Sequence, residues 1–185
     1  MKKFIIIFLI IVGVIVVYLG YFGFFMMVAV REMDMGPYTL VYKKHVGDYG
    51  KTPAIQNEIY YSLLNNEKIR TTKGFGIYFD DPREVKKENL RSFVGCILEK
   101  NDAANADRLK AAYSLMEYPR SRSVVAEFPF RGKLSIIAGI MKAYPAIERY
   151  VKDKGYRQAP VMEIYDVPAK KIVYALPLTT APAWD

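Results

Sequence analysis

No charged residue interrupts the chain from Phe4 to Val30, a stretch of 27 residues. A helix needs only about 20 apolar residues to cross a bilayer. The apolar core of a cleavable leader is shorter, about 7–15 residues, and ends at a small-residue site. The sequence therefore predicts an uncleaved transmembrane signal anchor over 1–30. Gly13, Gly20 and Gly23 interrupt the segment without ending it. Tyr18, Tyr21 and Phe22 to Phe25 are placed to form an interfacial belt at its far end. The Lys2-Lys3 tip favours a cytoplasmic N-terminus, with the following domain on the outer or periplasmic side. Arg31, Lys43 and Lys44 oppose that bias.

The anchor leaves about 155 residues, enough for one domain with a real core. A single cysteine, Cys96, and a single histidine, His45, exclude an intrachain disulfide and a Cys/His zinc cluster. Cys96 lies in the apolar run Phe93-Val94-Gly95-Cys96-Ile97-Leu98, which points to a buried, inert thiol. The net charge of +8 comes from scattered lysine pairs rather than one dense arm. Attraction to an anionic membrane surface explains it more simply than nucleic acid, for which no DNA-reading helix is present. No cofactor motif and no metal cluster stand out, and none is expected.

The order of elements after the anchor repeats. Residues 31–37 read as a polar linker. Tyr38–Val46 alternates as a strand, and Thr52-Pro53 opens a helix with Ile55, Ile59, Tyr60, Leu63 and Leu64 on one stripe. Gly74–Asp80 and Ser92–Leu98 read as strands, and Asp102–Ala112 as a short bridging helix. Ser123–Phe130 is again a strand. A helix follows from Lys133 to Lys154, with Leu134, Ile137, Met141 and Tyr144 on one side and Gly155 as the stop. Pro160–Asp166 and Ile172–Leu178 close the pattern, and 179–185 is a short tail. This is β-α-β-β written twice, over halves of about 38–99 and 113–178 within a domain of 38–178. It predicts an α+β fold built by internal duplication: an antiparallel sheet with helices on one face and a groove where the halves meet.

The strand Pro160-Val161-Met162-Glu163-Ile164-Tyr165-Asp166 carries the chemistry. Alternation puts Met162 and Ile164 on one face, and Val161, Glu163 and Tyr165 on the other. The first face is expected under the helices and the second in the open. A carboxylate between an aliphatic and an aromatic neighbour is solvated, paired, or kept for a ligand. Polarity likewise puts Gly76, Tyr78 and Asp80 on the open face, with Phe75, Ile77 and Phe79 on the helix side. Aligning the halves on Pro82 and Pro168 would instead pair Ile77 with Glu163, turning every side chain over. The polarity is followed, because burying Asp80 would cost more than a loop insertion.

Four segments in order resemble a known family: Tyr42 to Thr52, Gly76-Ile77-Tyr78-Phe79-Asp80-Asp81-Pro82, Leu90-Arg91 with Val94-Gly95, and Glu163-Ile164-Tyr165. They are similar to the GyrI-like small-molecule-binding domain, which includes the effector-binding modules of BmrR-type and AraC-type regulators. The resemblance covers nearly everything after residue 37. It implies that Glu163 matches the glutamate that faces cationic aromatic ligands in drug-binding members, and Tyr42, Tyr78 and Tyr165 are the ring partners expected beside it. The arrangement also resembles a membrane-anchored member that serves as an ER-phagy receptor in animals. That receptor's adaptor-binding tail is not expected here, so its role is not carried over. Without a helix-turn-helix, neither is the regulator role.

Three functions follow as expectations. The first is a single-pass membrane-anchored module that binds small amphipathic molecules, cationic or neutral aromatic, through a tyrosine-lined groove with a central glutamate. The second is a small-molecule hydrolase using Glu163, with Glu127 or Tyr165 as its polar partner. The third is a non-catalytic scaffold at the membrane that takes a protein partner.

Overall fold

The computed structural model describes residues 1–103 and 106–178, so the expected tail lies outside the described residues. The strands are β1 Val30–Met35, β2 Tyr38–Val46, β3 Lys73–Tyr78, β4 Arg91–Ile97, β5 Ser114–Tyr118, β6 Ser121–Pro129, β7 Val161–Asp166 and β8 Lys171–Pro177. The helices are α1 Lys2–Tyr21, α2 Thr52–Asn66, α3 Lys100–Ala103, α4 Ala106–Leu109 and α5 Lys133–Lys154. The strands form one antiparallel sheet in the order β1-β6-β8-β7-β3-β4-β2-β5.

Two short links force this sheet to curl. Gly36-Pro37 joins β1 to β2, and Pro119-Arg120 joins β5 to β6, yet each pair lies six places apart in the sheet. Six spacings of about 4.8 Å would separate them by roughly 29 Å in a flat sheet. A two-residue link reaches only about 10 Å. The edges therefore approach each other. Arg120 just after β5 bonds Asp34 of β1 at 2.7 Å, and Gly36, at φ +78°, lies against the Pro119 carbonyl. The concave face fills with strand side chains alone, among them Met35, Leu40, Phe75, Ile77, Phe93, Tyr118, Met162 and Ile164.

Both long helices lie on the convex face. α2 buries Ile59 and Leu63 against Val41, Cys96 and Leu98, as its stripe predicts, and the Cys96 thiol is buried. α5 packs over β6 and β8, on Val124, Phe128, Ile172, Tyr174 and Leu176. Its contact face differs from the expected one. Ser135, Ala138, Gly139, Ala143, Ile147 and Val151 are buried, whereas Ile137 and Met141 are exposed. The Phe128 and Tyr174 rings stand up from the sheet, so small residues must lie over them. A Cβ on Gly139 would come within 2.4 Å of the Tyr174 hydroxyl.

Three further expectations change. The linker carries β1, and a fifth strand, β5, precedes β6, so each run of elements has one more leading strand than the β-α-β-β reading gives. The two leading strands exchange: β1 pairs with β6, and β5 with β2. In place of one bridging helix stand the short turns α3 and α4. The sheet faces are also reversed. Met162, Ile164, Phe75 and Ile77 line the strand-only core, while the Glu163 face carries the helices. Curling explains this, because a sheet closed on itself needs its most apolar face inside.

Candidate functional site

β3 and β7 form the centre of the sheet, with Gly76 paired opposite Glu163, as the polarity argument requires. α2 stands mainly over β4 and β2, touching only part of β3, and α5 stands over β6 and β8, so the middle of the sheet lies between the two helices. The gap between them is a groove of about 2590 Å³ on the convex face. Gly74, Tyr78, Tyr144, Glu163 and Tyr165 line its inner part. Glycine alternation on β3 makes room there. Gly74 admits the Gln56 side chain, which donates to the Gly95 carbonyl at 3.3 Å. Gly76 lets the Tyr78 ring lie flat across the strand, since a Cβ would meet its hydroxyl at 2.7 Å.

Glu163 is 2% exposed. Its Oε1 accepts from the Tyr144 hydroxyl at 2.8 Å and its Oε2 from the Tyr165 hydroxyl at 2.5 Å. Among the described residues no lysine, arginine or histidine forms an ion pair with it. Burial raises its pKa above the ordinary carboxylate value, and the two tyrosine bonds pull it part of the way back. Tyr165 and Tyr144 are pushed well above the usual phenol range, by burial first and then by the Glu163 charge. Both therefore stay protonated and act as donors. Tyr78 moves in the same direction for the same reasons, and its hydroxyl lies 3.3 Å from Thr52 Oγ1. Its ring meets Tyr49 edge-on with centroids 4.8 Å apart, and Phe130 packs edge-on against Tyr165 at 6.0 Å.

When ionised, Glu163 is one negative charge held by neutral donors beneath a set of aromatic rings. Such a site favours a cation whose charge is spread over an apolar body. The carboxylate supplies the Coulomb attraction, the ring faces supply cation–π contact, and little hydration has to be stripped.

Residues 28–174 match the model of the GyrI-like small molecule binding domain. The chain belongs to the GyrI-like family. It is 31% identical over 146 residues to testis-expressed protein 264 homolog of Mus musculus, covering 76% of this chain and 45% of that protein. Against testis-expressed protein 264 of Homo sapiens it is 30% identical over 133 residues, covering 69% and 41%. The chain thus spans less than half the length of these relatives. Solved structures share the GyrI-like fold at low identity. The C-terminal domain of EcmrR superposes with a TM-score of 0.58 at 14% identity, over 82% of this chain and 98% of that one. SAV2435 bound to tetraphenylphosphonium gives 0.53 at 11% identity, over 82% and 94%.

Within this GyrI-like domain the structure brings Glu163, Tyr165 and Tyr78 together. Tyr42 is placed elsewhere. It lies on the concave side of β2, packed against Phe93 with centroids 4.9 Å apart. Its strand sits two places from the central pair, and its register with Gly95 turns it inward. Glu127 is also remote from Glu163. It pairs with Val173 on the concave-facing register of β6 and is held by Arg31 at 2.8 Å and Lys171 at 2.5 Å. It therefore cannot act as the second acid of a hydrolytic pair with Glu163. Asp80, expected on the open face, is bound by Arg91 at 2.7 Å, which holds its carboxyl below the usual range. Sequence reasoning missed Tyr144 as the second donor. It counted as a core residue of α5, and only the cross-sheet position of Glu163 gives it a partner.

Proposed function

We propose that the chain is a membrane-tethered binding module whose groove takes small amphipathic molecules, preferentially aromatic cations, with Glu163 as the charge-reading residue and Tyr165, Tyr144 and Tyr78 around it. The observation that carries this reading is the buried carboxylate, held by two tyrosine hydroxyls and by no basic side chain among the described residues. A charge held this way lacks a counter-ion that a ligand can supply. The tetraphenylphosphonium seen with SAV2435, a protein of the same fold, is a ligand of that chemistry. The tether is α1, whose 20 residues are long and apolar enough to cross a membrane and none of which is buried against the domain.

The test uses two ions of one shape and opposite charge. Full-length protein in nanodiscs, corrected against empty nanodiscs, should bind tetraphenylphosphonium and leave tetraphenylborate unbound. Equal binding of both ions would refute charge reading by the groove.

A further inference from the structure

α5 presents an apolar outer edge about half open to the surroundings. Ile137, Ile140 and Met141 are 50%, 42% and 61% exposed. Their spacing puts them on one side of the helix, within about 12 Å of its start at Lys133. That start is where the anchor arrives. The Arg131 guanidinium donates to the carbonyl of Tyr21, the last residue of α1, and lies 5.0 Å from the Tyr21 ring. Gly23, at φ +89°, turns the chain so closely over the domain that a Cβ there would strike the Phe128 ring. Phe24 and Val28 then pack into the cluster beneath α5. The first turns of α5 are thus held beside the end of α1. Ile137 and Ile140 also line the groove.

We infer that this edge of α5 rests in the interfacial layer of the bilayer that α1 enters, so that the groove opens onto lipid. The occupant follows from what adjoins the edge. None of the 20 residues of α1 is buried in protein, so lipid is the covering its apolar side chains require. The edge continues that surface through Tyr21 and Phe22. Arg131, Lys133 and Lys142 flank it with positive charge, which suits anionic headgroups. Resting on the binding reading above, this narrows the ligand class to amphiphiles already partitioned into the membrane surface, which enter sideways past Ile137 and Ile140.

The test needs no ligand, so its outcome is separate from that of the binding reading. Full-length protein is placed in vesicles of phosphatidylcholine and phosphatidylglycerol. An environment-sensitive fluorophore is attached at Met141→Cys, at Tyr61→Cys on the exposed side of α2, or at Val12→Cys within α1. Cys96 is buried and stays unlabelled. The label at 141 should show a blue-shifted emission and an iodide quenching constant several-fold below that at 61. Similar quenching at 61 and 141 overturns the inference. Shielding at 12 without shielding at 141 overturns it while leaving the anchor intact, and exposure at both removes the anchor reading as well.

Discussion

Replacing Glu163 by glutamine removes one charge and little else. The amide oxygen still accepts from Tyr144, and the amide nitrogen can donate to the Tyr165 oxygen. For a unit cation about 5 Å from the carboxylate, at an effective dielectric of about 20, the lost attraction is about 3 kcal/mol, or roughly 150-fold in Kd. Partial loss of ligand hydration lowers this, so a weakening of about 10- to 100-fold in tetraphenylphosphonium affinity is expected. Stability should move the other way. Burial raises the folded pKa of Glu163 above the ordinary carboxylate value, so the native state holds this proton more tightly than the unfolded chain. Stability therefore falls as pH rises from about 4.5 through the folded pKa, and is flat above it. Glu163→Gln lacks that slope and should melt at or above the wild-type temperature at pH 7. Isothermal titration and thermal denaturation of the same two preparations measure both effects. A variant that binds unchanged and melts lower would show the carboxylate to be a structural element, and the reasoning would fail.

Cation affinity of the wild type should rise with pH through the folded pKa of Glu163. Tyr165→Phe, which removes a donor that lowers that pKa, should move the midpoint upward in a titration series across pH. Gly76→Ala puts a methyl group 2.7 Å from the Tyr78 hydroxyl. It should cost about 1–3 kcal/mol in chemical denaturation and displace the Tyr78 ring from the groove wall. Tyr42→Phe alters the concave core only, so tetraphenylphosphonium affinity should be unchanged; a clear loss would place Tyr42 in the binding path.

The α+β class, the long helices, the glycine stop of α5 at Gly155 and six of the eight strands were legible because each rests on a local signal: alternation, an apolar stripe, a proline or a glycine. The two leading strands were not. Val30–Met35 is half polar and joins the sheet through β6, which lies far along the chain, and β5 does the same through β2. Edge pairing of that kind leaves little trace in the strand itself. The faces were sorted into the right partners, Gly76 and Tyr78 with Glu163 and Tyr165, because a register slip would invert them all. Which face takes the helices was misread, because that depends on curling, and curling depends on the two distant two-residue links.

Curling also accounts for the site. Closing the sheet places its most apolar face inside and leaves the Glu163 face to the helices, with the groove between α2 and α5. A buried carboxylate needs donors, and here they are the neutral hydroxyls of Tyr144 and Tyr165 rather than a lysine or arginine. Tyrosine meets that need. It donates one hydrogen bond, carries no charge at neutral pH, and presents a ring face to whatever enters. Three of the chain's tyrosines, at 78, 144 and 165, come from a strand, a helix and a second strand, and converge within reach of one glutamate. The protonated state of Tyr144 and Tyr165 is enforced first by burial and then by the Glu163 charge, which disfavours a second negative charge nearby. The carboxylate and its donors therefore stabilise each other's roles, and on the reading proposed above the ligand supplies the positive charge.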